Sequence, residues 1–392
     1  MPAAATTRSP GPRTGRAKAP RWARLLVWCG ALLMVSSGLL IASGKVLVAA
    51  ANRGVNQQNL LGDAGAQAHA QQQEQHVTIT GAKTILLVGL DNRPGQNPTD
   101  LVRADSIMLL HVAAGHDRGY LVSIPRDTYV RVPADPGTGF AGGPQKINAA
   151  FAYGAWHGGG IAGGVRLLAK TIGSIAGIVP DAAAVIDFTG FQKVVGVLGG
   201  VDMCIDEKTT SIHLGRTASG QLKPPFHINS DGTLGRSIRG VTPLVYEKGC
   251  RHLAAWQALD YVRQRDLLEN HDLDYGRQRH QQQFIKAIFK KIFSAGTLTD
   301  LGKLNGVLSA MRGAMTIDSG GIAPTDWVYA MRAVTPDTLV TIKTNAGRLN
   351  PKTVNGTDYE VLSPASTQLL QAIRDDTVDQ FLVGHQDWIS TS

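Results

Sequence analysis

The stretch from Leu259 to Ile285 constrains this chain more than any other segment. It holds Arg263, Arg265, Arg277 and Arg279, with Asp260, Asp266, Asp272 and Asp274 among them. It then runs straight into an apolar helix, Phe284-Ile285-Lys286-Ala287-Ile288-Phe289. A solvated charge run would be followed by more surface. Guanidinium groups set against a packed core need partners, because an uncompensated buried charge is strongly destabilising. Arginine keeps its charge and presents a planar fork that donates two parallel hydrogen bonds to one oxyanion. The segment therefore reads as one wall of a phosphate pocket in a folded domain.

The rest of the chain is large enough to build that domain. It has 392 residues, 43% of them apolar, and a formal charge of +9. A basic balance invites a nucleic-acid reading, but its distribution argues against one. Arg8, Arg13, Arg16, Lys18, Arg21 and Arg24 precede residue 25 with no acidic residue among them, which leaves only +3 for everything after. Behind this tail comes Leu25–Gly44, twenty residues without a charge. At about 1.5 Å per residue such a helix spans roughly the 30 Å of a bilayer core. The excess of basic residues before it places the N-terminus in the cytoplasm and the remainder outside. A cleaved signal peptide is the alternative, with Val48–Ala51 as a poor cleavage site and an apolar stretch long for that purpose. The expected organisation is a cytoplasmic tail (1–24), a transmembrane helix (25–47), an extracytoplasmic stalk (48–82), a catalytic domain (83–384) and a C-terminal tail (385–392). The expected location is thus the cell membrane, with a single pass.

Outside the cytoplasm, Cys204 and Cys250 form an even pair that can oxidise. The favoured reading is a disulfide that tethers the intervening segment, and two separate buried thiols are the alternative. Thr84–Leu90 is a short continuous apolar run, as for a strand buried on both faces. Ser106–Val112 and Gly119–Ile124 read as further strands joined in a hairpin. Helices are expected at Ile147–Trp156, Val165–Ile178 and Phe188–Leu198, with strands at Ala182–Ile186 and Val201–Ile205. Residues 207–249 are polar and rich in Gly, Ser, Thr and Pro, which predicts a long irregular lid or binding loop. Further helices are expected at His252–Tyr261, Tyr275–Phe293, about Asp300–Met311 and Pro364–Ala372, and a strand at Thr338–Lys343. Strands interleaved with helices predict an α/β class, a layered α-β-α domain around a central mixed sheet, preceded by the N-terminal transmembrane helix.

Asp91 follows the first buried strand and Asp105 opens the second. Ligands gather at strand ends in α/β sheets. Two carboxylates there could hold a hard cation such as Mg²⁺, although either could simply organise its own turn or strand end. Arg103 lies two residues before Asp105, on the same side of an extended chain. Arg126 follows Pro125 at the end of the third strand, where a salt bridge to Asp127 is the plain alternative. Lys146 precedes a helix N-terminus, a poor place for a purely structural cation. Arg263 and Arg265 point the same way only in extended backbone, so the helix from His252 is expected to unwind near Val262. Arg277 and Gln281, four apart, share one face of the next helix. The chain contains no HExxH, CxxC, GxxxxGK[ST] or GxSxG sequence.

From about Lys83 to Leu382 the chain resembles the LytR-CpsA-Psr enzymes of bacterial cell envelopes. The matching pieces are VGLDNR (Val88–Arg93), RADSIMLL (Arg103–Leu110), SIPRD (Ser123–Asp127), KINAAFAYG (Lys146–Gly154), IDFTGFQKVVGVLGGVDMCID (Ile186–Asp206), HLAAWQALDYVRQR (His252–Arg265) and DYGRQRHQQQFI (Asp274–Ile285). The resemblance implies a phosphotransferase that moves a glycopolymer from an undecaprenyl-pyrophosphate carrier onto peptidoglycan. It implies that Asp91 and Asp105 hold Mg²⁺, or Mn²⁺, against the pyrophosphate. Arg103, Arg126, Arg263, Arg265, Arg277 and Gln281 would bind phosphate oxygens with help from Lys146, and an apolar channel between sheet and helices would take the prenyl tail. Asp105 is the candidate base for the acceptor hydroxyl, with Arg103 and Arg126 beside it. His280 departs from the family, which often carries arginine there. A carrier-binding protein without chemistry and a pyrophosphatase are the rival readings. The expected partners are the lipid-linked donor, peptidoglycan and the membrane, with no nucleic acid.

Overall fold

The computed structural model describes residues 56–62, 79–92, 102–229, 233–292, 309 and 314–390. The expected transmembrane helix, most of the stalk and nearly all of the expected helix at 300–311 lie outside them. Among the described residues, no helix is long and apolar enough to cross a membrane.

The first elements in chain order are strands β1 (Asn56–Gln57), β2 (Lys83–Leu90), β3 (Ala104–Val112), β4 (Gly119–Ile124), β5 (Tyr129–Val132) and β6 (Gly143–Lys146). Helices α1 (Ile147–Ala155) and α2 (Gly160–Ala176) follow, then β7 (Ala182–Asp187), α3 (Phe188–Val197) and β8 (Val201–Ile205). Next come β9 (Thr209–Thr217), β10 (Leu222–Lys223), β11 (Phe226–Ile228), β12 (Leu234–Ser237), β13 (Val241–Tyr246) and β14 (Gly249–Leu253). Helices α4 (Ala255–Tyr261) and α5 (Leu273–Ile292) lead to β15 (Met315–Asp318), α6 (Pro324–Ala330) and β16 (Leu339–Lys343). A last hairpin, β17 (Pro351–Val354) and β18 (Thr357–Glu360), precedes α7 (Pro364–Arg374) and α8 (Val378–Val383).

Seven strands form the central sheet in the order β1-β15-β7-β2-β3-β4-β16. It is mixed: β2 runs parallel to β7 and antiparallel to β3, and β4 runs parallel to β16. The period-two alternation of side chains explains why the apolar runs are unbroken. Leu86, Val88, Ile107, Leu109 and Val122 join one core with α1, α2 and α7. Ile85, Met108, Leu110 and Leu121 join a second core on the opposite face with Phe289 of α5 and Trp327 of α6. Each fully buried aliphatic side chain contributes roughly 1.5–3 kcal/mol. The layered α-β-α architecture read from the sequence is therefore present.

Two local expectations are corrected. Residues 207–249 are not an irregular lid. They form a three-stranded sheet (β10-β9-β13) and a hairpin of β11 with β12. The β-branched and aliphatic residues of β9 and β13 supply the ladder, and the polar composition reflects strands with little core behind them. The helix expected from His252 starts instead at Ala255, because His252 and Leu253 pair with Asp202 and Val201 in the β14–β8 ladder. In that ladder Cys204 faces Cys250, and the two form a disulfide. A third core gathers Phe191, Val201, Met203, Tyr246, Tyr261 and Phe284 around this module.

Candidate active site

The site is built where β2 and β4 end and β3 begins. Gly89 pairs with Ser106 but Leu90 pairs with Ala104, so Asp105 is the extra residue of a β-bulge. Bulges re-aim a side chain beside a site. Gly89 makes this one possible, since a Cβ there would lie 2.9 Å from Ser106 Cβ. The Asp91 N–H donates to the Arg103 carbonyl at 3.4 Å. Asp91 and Asp105 therefore leave the same end of adjacent strands. Arg103, between them in the ladder, is exposed and makes no ion pair among the described residues.

Arg126, just past β4, donates from Nη1 to Asp105 Oδ2 at 2.6 Å. Its Nε lies 3.7 Å from Asp127 and 3.9 Å from Asp274. Arg277 enters from the first turns of α5. Its Nη2 is 2.7 Å from Asp274 Oδ1 and donates to the Asp105 carbonyl at 3.0 Å, while Nη1 is 3.9 Å from Asp105 Oδ2. Lys146 pairs with Asp127 at 2.9 Å. Arg126, Arg277, Lys146, Asp105, Asp127 and Asp274 thus form one connected network. Arg265 contributes its field to both Asp274 and Arg277 while its Nε donates to Asp266 at 3.3 Å. Two of the expected residues have other neighbours. Arg263 lies over the Phe188 ring at 4.3 Å, and Gln281 donates to the Val262 carbonyl at 3.4 Å. The helix does end before Arg263, as expected, with Val262 as its C-cap. The two arginines nonetheless meet different partners.

Burial sets the electrostatics. It pulls the Arg277 guanidinium below its ordinary value, and Asp274 and Asp105 oppose the shift. Burial would do the same to Arg126, but Asp105, Asp274 and Asp127 outweigh it and hold the group above its ordinary value. Burial would raise Asp274, yet Arg277, Arg126 and a hydrogen bond from Gln278 hold it below the usual carboxylate range. The buried Nε atoms of Arg126 and Arg277 have no hydrogen-bond acceptor among the described residues. Such donors suit an oxyanion. The donor set of Asp91 and Asp105 is hard oxygen, and Asp105 Oδ1 accepts no hydrogen bond among the described residues. Both features fit Mg²⁺.

Sequence reasoning named Asp127 only as the plain salt-bridge partner of Arg126, which it is at 3.7 Å, and gave Asp274 no role at this site. The aspartates inside SIPRD and LDYGR, each beside an arginine already singled out, were the available signal. It also missed a second cluster. Arg279 is clamped by Asp206, Asp272 and Glu207, with Nε 2.6 Å from Asp206 Oδ2. His280 sits 3.1 Å from Glu207 and stacks on Tyr261. Asp206, Glu207 and His280 could together ligate a metal. Arg279 already occupies these carboxylates, so the cluster acts as an ion network that ties the end of β8 to α5. Glu207 titrates below its ordinary value: burial would raise it, but His280, the Asn270 N–H and Arg279 prevail.

A cleft of about 750 Å³ opens beside the strand ends, lined by Leu90, Val102, Phe151 and Val185 but also by Asn92, Asp187 and Lys193. Leu90 and Val102 are the immediate neighbours of Asp91 and Arg103. The Asn148 N–H at the start of α1 donates to the Arg126 carbonyl at 3.1 Å, which ties the cleft-lining helix to the network.

The fold is thus a layered α/β domain with an arginine–carboxylate network at its strand ends and a cleft of mixed polar and apolar lining beside it. The LytR_cpsA_psr family model matches residues 47–375, and the chain belongs to that family. The regulatory protein MsrR of Staphylococcus aureus is 29% identical over 240 residues, 61% of this chain and 58% of the relative. The polyisoprenyl-teichoic acid–peptidoglycan teichoic acid transferase TagU of Oceanobacillus iheyensis is 27% identical over 227 residues, 58% of this chain and 57% of the relative. The chain thus spans little more than half the length of these curated relatives. The crystal structure of TagV from B. subtilis shares the fold, with a TM-score of 0.53 and 19% identity over 77% of this chain and 98% of the other.

Proposed function

We propose that this protein is a membrane-anchored phosphotransferase that moves a glycopolymer from an undecaprenyl-pyrophosphate donor onto peptidoglycan. The observation that carries this reading is an arginine network beside a cleft with one apolar wall (Leu90, Val102, Phe151 and Val185), which suits a ligand with a pyrophosphate at one end of a prenyl chain. The name of the related TagU supports the same substrate class. Leu25–Gly44 would serve as the anchor, with the N-terminus in the cytoplasm.

Phosphoryl transfer asks for positioning and charge neutralisation more than covalent help. In this reading the Arg126 and Arg277 guanidinium groups supply positive charge beside the pyrophosphate, with Arg265 and Lys146 adding field. Arg103, exposed at the mouth, takes the outer phosphate oxygens. Asp127 and Asp274 hold the two central guanidinium groups in place before the donor arrives, so little reorganisation accompanies binding. Asp91 and Asp105 would hold Mg²⁺, which supplies further neutralisation of the phosphate oxygens when bound. Asp105 is also the candidate base for the proton of the attacking sugar hydroxyl. That hydroxyl forms a new bond to the phosphorus bearing the glycan, and polyprenyl phosphate leaves.

The test combines the full chain with a polyprenyl-pyrophosphate oligosaccharide and peptidoglycan fragments, with and without Mg²⁺, and seeks the conjugate by mass spectrometry. A metal-dependent conjugate is expected. Phosphate release without acceptor would make the protein a pyrophosphatase, and donor binding with neither product would make it a carrier-binding protein.

A further inference from the structure

The turn between α1 and α2 carries an exposed aromatic and aliphatic pair that the site does not use. Trp156 and Ile161 are 45% and 38% exposed. Both line the rim of the cleft, with His157, Gly158 and Gly160 between them. The turn is built to hold them outward. His157, Gly158 and Gly160 all adopt positive φ. The helices beneath approach so closely that a Cβ on Gly154 would lie 2.3 Å from the Gly163 carbonyl oxygen. His157 stacks on Trp156 with ring centroids 4.1 Å apart and pairs its Nδ1 with the Thr138 carbonyl at 2.8 Å. A large aromatic fixed in this way is not a side chain that merely failed to fold inward.

Charge and connectivity identify what the turn faces. No Asp or Glu occurs from residue 136 to residue 180, whereas Lys146, Arg166 and Lys170 do. Arg166 and Lys170 are exposed on α2. The chain enters the domain on the same cleft. Asn56 lines it and pairs with Thr316 of β15, which also lines it. That entry is pinned by Asp318 Oδ2, which accepts from the Leu60 and Leu61 N–H groups at 2.7 and 2.9 Å. Eleven residues, or twelve Cα–Cα steps, lie between Gly44, the end of the uncharged stretch, and Asn56. At roughly 3.5 Å per residue they reach no more than ~42 Å. That length is the most that could part the cleft rim from the bilayer that the anchor would enter.

We infer that the Trp156–Ile161 turn docks into the outer leaflet of that bilayer, seating the cleft mouth at the headgroup level. Trp at the interface and an aliphatic side chain below it are the composition of interfacial anchors, and exposed Lys170, with Arg166 held only loosely 4.0 Å from Asp135, suits anionic lipid. A glycan platform is the competing occupant, but it would call for carboxylate or amide groups to bond sugar hydroxyls, and the turn offers none. The inference rests on the membrane anchoring proposed above.

The test uses the full chain with Cys29→Ser, reconstituted in phosphatidylcholine–phosphatidylglycerol vesicles with the Cys204–Cys250 disulfide intact. An environment-sensitive fluorophore is placed at Ile161→Cys or, as control, at Ser174→Cys, exposed near the far end of α2. Vesicle flotation reports anchoring separately. The probe at 161 should shift to the blue and lose about half its emission to brominated acyl chains, since interfacial burial reaches ~5–10 Å. The probe at 174 should do neither. A floating protein whose 161 probe stays in water overturns the docking and leaves the anchor standing. A probe in water that responds only to peptidoglycan fragments assigns the turn to glycan and also overturns it. A protein that fails to float removes the anchor reading, and the docking with it.

Discussion

Arg277 is held in a cavity of its own charge complements, and its substitution separates binding from folding. Its side chain is 7% exposed, with Asp274 at 2.7 Å and the Asp105 carbonyl at 3.0 Å. Arg277→Ala strands the Asp274 carboxylate in a buried position with Arg126 3.9 Å away as its nearest remaining cation. Breaking a buried pair in this way costs about 3–5 kcal/mol, so urea denaturation should show a clear drop in midpoint. Arg277→Lys keeps the charge but loses the fork, and should lower transfer by about 10²-fold or more with a smaller loss of stability. Asp274 gives this network a pH signature. Its pKa is depressed in the folded protein. Its contribution is therefore present above the ordinary carboxylate value near 3.9 and is lost as pH falls through the depressed folded value. Acid unfolding monitored by circular dichroism should be shallower in Asp274→Asn than in the wild type. Arg126, Arg277 and Asp105 were legible in the sequence because strand ends and a charged helix start are visible there. Asp127 and Asp274 were not separable from ordinary loop aspartates, because only the folded chain brings them to one guanidinium pair.

Helix α4 shows how an inserted module is fixed to the site. Asp260 on α4 is 2% exposed and accepts from Ser211 of β9 at 2.9 Å, from Tyr246 of β13 at 2.8 Å and from Gln264 at 2.9 Å. Burial pushes its carboxyl up to about 6 against these hydrogen bonds. A raised folded pKa stabilises the protein fully below the unfolded value near 3.9, and that stability is lost as pH rises through about 6. Between pH 7 and pH 5 the wild type should therefore gain roughly 1 kcal/mol that Asp260→Asn does not, measurable as a difference in urea midpoints. The module's other fastening is the Cys204–Cys250 bond, 46 residues apart. Reduction, or the double substitution to serine, should cost about 2–4 kcal/mol. The cysteine pair was legible from count and compartment, and the helix end at Tyr261 from the spacing of Arg263 and Arg265. The strands between the cysteines were not, because polar short strands carry no alternation with a buried face to reveal them. His252 and Leu253 at the end of β14 were read as helix because their partners in β8, Asp202 and Val201, lie about fifty positions away, beyond the reach of local pattern.

At the scale of the molecule, the two cores of the sheet are complete without any ligand, and the site network nearly balances itself. Arg126, Arg265, Arg277 and Lys146 face Asp105, Asp127, Asp266 and Asp274 in direct pairs or fields. The folded domain therefore has no electrostatic need for a metal. The donor changes that balance, because a pyrophosphate diester brings two negative charges into a partly apolar groove where uncompensated charge is costly. The metal and the donor should then bind together rather than in sequence. Mg²⁺ alone should leave the thermal midpoint of the full chain almost unchanged, and chelation should likewise leave it unchanged while abolishing transfer. A polyprenyl-pyrophosphate oligosaccharide with Mg²⁺ should raise the midpoint, by the equivalent of about 2.7 kcal/mol at a hundredfold excess over the dissociation constant. The same donor with a chelator should give a markedly smaller shift, and Asp91→Asn should reproduce that smaller shift with Mg²⁺ present. Scanning calorimetry across these four conditions reads the coupling directly. A large stabilisation by Mg²⁺ alone would instead place the ion in a preformed site, and would make the near-neutral network the wrong account of why two carboxylates stand at these strand ends.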